Sequence, residues 1–196
     1  MPTTLTPLVM MDPGFLWNAP AGTAFPASGG TVAGSVFTDS PSVSFYEIGA
    51  TEAGYTFQYS QSIEAVTVAE FADPVKWRTV TRQGSMAFNL ADYTLKNIQR
   101  SLNGGTLSTV SGSGATLISK WVPPIVGSET RAALLWQSFD ATMRIFMYQT
   151  VQVNEIQTQF KKAPDFAVLP CEFRFEIDAS GNIFEVYTAG TSRLGN

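Results

Sequence analysis

The feature that most constrains this chain is a strict two-residue alternation near its end. Ala167, Leu169, Cys171, Phe173, Phe175 and Ile177 hold the odd positions, and Glu172, Arg174, Glu176 and Asp178 hold even ones. An extended backbone sends successive side chains to opposite faces, so the segment predicts a strand with one core face and one wet face. Asp178-Ala179-Ser180-Gly181-Asn182 then has turn chemistry, and Phe184 and Val186 are expected to return as the hairpin partner.

Weaker versions of the same pattern recur along the chain. Gly14-Phe15-Leu16-Trp17-Asn18-Ala19-Pro20 is a short apolar run bounded by Gly and Pro and suits a strand, whereas residues 21–41 have the Gly, Ala, Ser, Thr and Pro content of a long loop. Val43, Phe45, Tyr55, Phe57, Tyr59, Val66 and Val68 predict three short strands between 43 and 70. A further strand over 75–82 is expected to break near Gly84, with Met86, Phe88 and Leu90 continuing on one face. Residues 106–110, 115–122, 131–136 and 141–159 also read as extended. In the last of these Phe146 and Tyr148 interrupt the polar face opposite Met143, Ile145 and Met147, which predicts that both faces are covered.

One helix stands out, at about 90–103. Asn89 is a good N-cap, with Asp92 favouring the first turn. Leu95, Ile98 and Leu102 fall on one face, Asp92, Lys96 and Arg100 on another, and Asn103-Gly104-Gly105 supplies left-handed C-cap chemistry. The chain is therefore expected to be mainly β, a β-sandwich or partial barrel with one flanking α-helix. Residues 1–12 and 188–196 read as polar arms around a single domain over 13–187.

Composition narrows the function classes. Charged residues are 14% of the chain against about 25% in average soluble domains, so much of the surface is expected to be covered in an assembly. The absence of any histidine removes the commonest general base and the usual zinc ligand sets. No phosphate-binding, dinucleotide-binding or nucleophile-elbow motif is present, and the expectation is a non-enzyme without cofactor or metal. Cys171, the single cysteine, lies between Leu169 and Phe173 on the apolar face and is expected to be an inert core thiol. Asp178–Asn182 lacks the bidentate acid of a calcium loop and fits a turn.

A formal charge of −4 argues against wrapping nucleic acid. Lys161-Lys162 and the set Lys76, Arg78 and Arg82 are better read as solvated faces than as a DNA patch. Tyr55, Phe57 and Tyr59 are better read as a sheet face than as a base-stacking platform. The first residues lack the pattern of a signal peptide and no run approaches 18 apolar residues, which predicts synthesis in the cytoplasm.

The order of several segments resembles the major tail tube proteins of long-tailed, non-contractile (siphovirus-like) bacteriophages. The opening strand from Gly14 to Thr23 is similar to that family's. So is the succession Ile63-Glu64, Val68-Ala69-Glu70, Asp73-Pro74-Val75-Lys76 and Met86-Ala87-Phe88-Asn89-Leu90-Ala91-Asp92 leading into Leu102-Asn103-Gly104-Gly105. Leu169-Pro170-Cys171-Glu172-Phe173 and the run from Ile183 to Ala189 resemble its closing hairpin. Together these cover about two thirds of the chain, with residues 106–160 matching least.

The resemblance implies a fold related to type VI secretion tubes and a virion subunit that stacks as hexameric rings into a hollow tube. DNA would pass through the lumen during ejection without specific binding. It implies self-association, and contacts with tape-measure, tail assembly chaperone, tail terminator and distal tail proteins. The arms at 1–12 and 188–196 and the loops at 21–41 and 42–70 are expected to make ring-to-ring contacts. Glu70, Asp73, Lys76, Trp77 and Arg78 are the candidate subunit-interface residues, because they combine charges with a large aromatic. The competing reading for each is an ordinary solvated strand with Trp77 turned into the core. Competing functions are another virion part, such as a tail terminator or capsid decoration, and a β-sandwich glycan- or receptor-binding module.

Overall fold

The strand most deeply placed is the one whose sequence does not alternate. Ala-Ala-Leu-Leu-Trp-Gln-Ser forms β9 (Ala132–Ser138), in which residues 133–138 are all buried, as a continuous apolar run requires when both faces of a sheet are covered. Its neighbours are β1 (Gly14–Pro20), paired from Gly14↔Ser138 to Pro20↔Ala132, and β10 (Met143–Gln152), paired through Ile145↔Trp136 and Met147↔Leu134. The computed structural model describes residues 14–26, 31–33, 36–39, 43–70, 73–112, 114, 117–158 and 167–188. The arm at 1–12, residues 189–196 of the second arm, and Lys161-Lys162 lie outside these.

The pleat of these three strands sorts the core into two clusters. Leu16, Leu134, Trp136, Ile145 and Met147 project to one face, and Trp17, Ala19, Ala133, Leu135 and Phe146 to the other, where Phe45 joins them. The apolar second face read from Phe146 and Tyr148 is thus covered: Phe146 is fully buried and meets Phe45 and Phe25 edge-on.

The main antiparallel sheet runs β2 (Thr31–Ala33), β3 (Val36–Asp39), β4 (Val43–Glu47), β1, β9, β10, β11 (Leu169–Glu176), β6 (Lys76–Leu90), β5 (Thr51–Val66). The larger cluster contains Met86, Phe88 and Leu90 of β6 and Leu169, Cys171 and Phe173 of β11 beside residues of β1, β9 and β10, so the sheet curls to enclose it. A separate hairpin pairs β7 (Thr106–Ser111) with β8 (Ile118–Val122). The mainly-β expectation holds.

Several local expectations need correction. The long loop expected over 21–41 contains the β2–β3 hairpin, paired Thr31↔Thr38 to Ala33↔Val36. The three short strands expected over 43–70 are two, β4 and the 16-residue β5. The break expected at Gly84 does not occur, because β6 is one strand of 15 residues. Gly84 instead makes room for a ring: a Cβ there would lie 2.3 Å from Cδ2 of Phe175.

The helix is shorter than expected. Asn89 and Leu90 belong to β6, where Met86, Phe88 and Leu90 keep strand alternation, and α1 spans Leu95–Ser101 with Thr94 as N-cap accepting from the amide of Asn97 at 3.2 Å. Its most buried positions are Asn97 and Ser101, and Ile98 packs against the core while Leu95 stays exposed. The C-cap holds as read: Asn103 (φ 55°) and Gly104 (φ 106°) are left-handed, and the amide of Gly104 donates to the carbonyl of Gln99 at 2.8 Å. The Asn103 side chain brackets Gln152, donating to its carbonyl at 2.7 Å and accepting from its amide at 2.8 Å, which ties the helix end to the end of β10.

The closing hairpin is also corrected. Asp178 does organise a turn, accepting from the amides of Ser180 (2.9 Å) and Asn182 (2.7 Å). The chain does not fold back on β11, however. β12 (Phe184–Thr188) pairs with β10, through Met147↔Phe184 to Met143↔Thr188, on the edge that β11 occupies through Gln149↔Glu176. Residues 177–183 are therefore an excursion between two strand segments that run along β10 in the same direction. Ile177 is correspondingly 63% exposed instead of continuing the core face.

Candidate assembly interface

β5 and β6 form one long hairpin whose inner half is anchored and whose outer half is free. In the inner half Tyr55 meets Phe88 edge-on at 5.6 Å, Phe57 meets Phe184 at 5.4 Å, and Tyr59 meets Phe184 at 5.2 Å. These aromatics are a sheet face directed at the core, as the sequence suggested. β11 supports β6 as far as Arg174↔Ser85. Beyond that, among the described residues, the two strands pair only with each other, from Ser60↔Gln83 to Val66↔Lys76, with an irregularity at Ser62 and Ile63.

The free half extends about 20–25 Å at strand rise. All its described residues are exposed, from Ser60 to Glu70 and from Asp73 to Gln83. The amide of Val75 donates to the carbonyl of Val66 at 3.0 Å and closes the ladder before the end loop.

The ladder fixes what each face carries. Tyr59, Gln61, Ile63 and Ala65 continue the core-directed face of β5, and Trp77 stands opposite Ala65 on that same face. Glu64↔Arg78 and Val66↔Lys76 stand on the other. A partly apolar strip thus leaves the core and runs out along the hairpin, interrupted by the Gln61↔Arg82 pair and by Thr79 opposite Ile63, with no cover from the described residues of this chain: Ile63 is 49% exposed and Trp77 65%. β5 is also the last strand in the sheet order, so its outer edge has no strand partner among the described residues.

The structure brings the five sequence candidates to one end of the molecule and divides them there. Glu70 and Asp73 flank the end loop, Lys76 and Arg78 point to one face, and Trp77 to the opposite one. Trp77 is not turned into the core, but it does not share a surface with the two cations. Sequence reading missed Ile63 and the open edge of β5, since both become visible only when residues 51–66 are seen as one strand.

Other chemistry-bearing groups are placed differently. Cys171 is 3% exposed, its thiol sits 3.5 Å from the Leu169 carbonyl, and burial pushes its pKa up to about 12, so it is a protonated core thiol at neutral pH. Arg131 holds Glu176 by two contacts, Nε at 3.0 Å and Nη2 at 3.3 Å. Glu176 also accepts from Gln149, and these bonds keep its carboxyl below the usual range. Among the described residues no three His, Cys, Asp or Glu side chains gather where they could hold a metal ion, and no helix is long and apolar enough to cross a membrane.

The class that the fold defines is a mainly-β protein built on one curled antiparallel sheet with a long protruding hairpin. Compared with known proteins, the chain matches no family model and no curated protein sequence.

Proposed function

We propose that this chain is a structural virion subunit that polymerises through its long hairpin, as stacked hexameric rings, into the tube of a long non-contractile phage tail, the conduit for DNA ejection. The observation that carries the reading is the free half of the β5–β6 hairpin. A two-stranded ribbon is marginal in water by itself, and one that exposes Ile63 and Trp77 on one face is stabilised when another chain covers them. The edge of β5, unpaired among the described residues, offers a template for the sheet of a neighbouring copy, and a closed ring of such sheets removes the edge.

The finer fold belongs to the same reading. A curled sheet enclosing one cluster, with one short helix beside it, is compatible with the partial barrel of tail tube and type VI secretion tube subunits. A net charge of −4 suits a wall along which duplex DNA slides without sticking. Tape-measure, chaperone, terminator and distal tail proteins are the further partners this role requires.

The hairpin's part is tested by sedimentation velocity of the wild type and of the double variant Ile63→Ser, Trp77→Ser. Both sites are exposed, so the variant is expected to fold normally and to lose the large assemblies that the wild type forms. Equal assembly by both proteins would exclude the apolar strip as an interface.

A further inference from the structure

The hairpin has an end loop, and the body of the molecule has a cavity of complementary charge. A cavity of about 800 Å³ lies between the end of β1, α1 and the start of β9, lined among others by Asn18, Tyr46, Lys96, Gln99, Arg100 and Arg131. Among the described residues its lining contains three cations and no carboxylate. Lys96 donates to the amide oxygen of Gln99 at 3.0 Å, and Arg100 Nη1 donates to the Glu47 carbonyl at 3.0 Å and to Asn97 Oδ1 at 3.2 Å. These acceptors are neutral. Asp92 attracts Arg100 through space without a direct hydrogen bond, and its carboxylate accepts from the Asn97 amide nitrogen at 3.1 Å. Among the described residues, Arg131 alone of the three has a direct carboxylate partner, Glu176.

The end loop of the hairpin is the reverse. Residues 67–75 carry Glu70 and Asp73 and no cation, and both acids are exposed. β6 runs from this loop into the body of the sheet, where Phe173 of the cavity lining pairs with Met86 and Arg131 of the lining holds Glu176, two residues past the Arg174↔Ser85 pair. The loop thus stands about 20–35 Å along the strand from the cavity, which keeps a copy from reaching its own cavity. A contact between two unlike surfaces of identical chains is heterologous, and where its rotation does not close into a ring it repeats along an axis.

We propose that Glu70 and Asp73 of one copy dock in the Lys96, Arg100 and Arg131 cavity of the next, and that this contact sets the stacking of the polymer. The inference rests on the assembly reading above and adds to it the surface that receives the hairpin.

Charge exchange tests it. Two variants reverse one side each, Glu70→Lys with Asp73→Lys, and Lys96→Glu with Arg100→Glu, and a third carries all four changes. Circular dichroism and thermal unfolding establish that each folds. Should Arg100→Glu prevent folding, the pair Glu70→Lys and Lys96→Glu, both at exposed sites, replaces it. Each one-sided variant is expected to raise the concentration needed for assembly about tenfold or more, and the combined variant is expected to bring it back toward wild type.

One-sided variants that assemble like the wild type would overturn the docking while leaving polymerisation intact. One-sided losses without recovery in the combined variant would overturn it too, because the two surfaces would not be each other's partners. A wild type that assembles under no condition would remove the assembly reading itself.

Discussion

Gly84 shows how a single missing side chain supports the base of the hairpin. It was read as a strand break, yet its backbone is ordinary strand and its role is to admit the ring of Phe175, which also touches Phe57 and Phe184. Gly84→Ala is expected to destabilise the chain by about 1–3 kcal/mol through overpacking. In a Phe175→Ala background, where the obstructing ring is gone, most of that cost should vanish in denaturant unfolding. Glu176 makes a second prediction at this scale. Its pKa lies below the ordinary 4.5, held there by Arg131 first and Gln149 second, so its bonds stabilise the fold above the unfolded carboxylate value and are lost as pH falls through the lower folded one. With side chains 36% and 32% exposed, the Arg131–Glu176 pair is worth about 0.2–1 kcal/mol. Glu176→Gln should therefore lower the unfolding midpoint slightly at pH 7, with the difference from wild type shrinking below pH 4.5.

At the scale of elements, legibility followed how local the determining forces are. β1 was read at its true bounds because Gly14 and Pro20 punctuate it, and the buried positions Leu169, Cys171 and Phe173 of β11 were plain from alternation. The start of α1 was misplaced because Asn89 and Asp92 have capping chemistry, while the ladder from Leu169↔Leu90 to Phe173↔Met86 holds that stretch as strand. β12 was assigned to the wrong partner, since a turn at Asp178 says nothing about which strand the chain meets next. The sequence placed Lys96 and Arg100 only on one face of the helix with Asp92, because Arg131, which joins them at the cavity, comes from another part of the chain. The bracket between Asn103 and Gln152 is a further long-range feature that no local pattern announces. Asn103→Ala should cost about 1–3 kcal/mol in chemical denaturation, through the freed amide and carbonyl of the buried Gln152. Asn103→Gly, which accommodates φ of 55° without strain, should remain destabilised by the same lost bonds.

For the whole molecule, the decisive fact is that stable body and free hairpin belong to one pair of strands. Tyr55, Phe57 and Phe88 anchor the hairpin in the core, and the same face then carries Ile63 and Trp77 out to solvent. A chain built this way covers its core and, among its described residues, leaves a partly apolar strip, an unpaired strand edge and an acidic tip without partners, which is what the proposed assembly would use. Electron microscopy of the purified protein across a concentration series, with light scattering on the same samples, tests this most directly. The account predicts stacked rings or tubes with a lumen wide enough for duplex DNA, appearing above a threshold concentration. A monodisperse monomer at every concentration would contradict it.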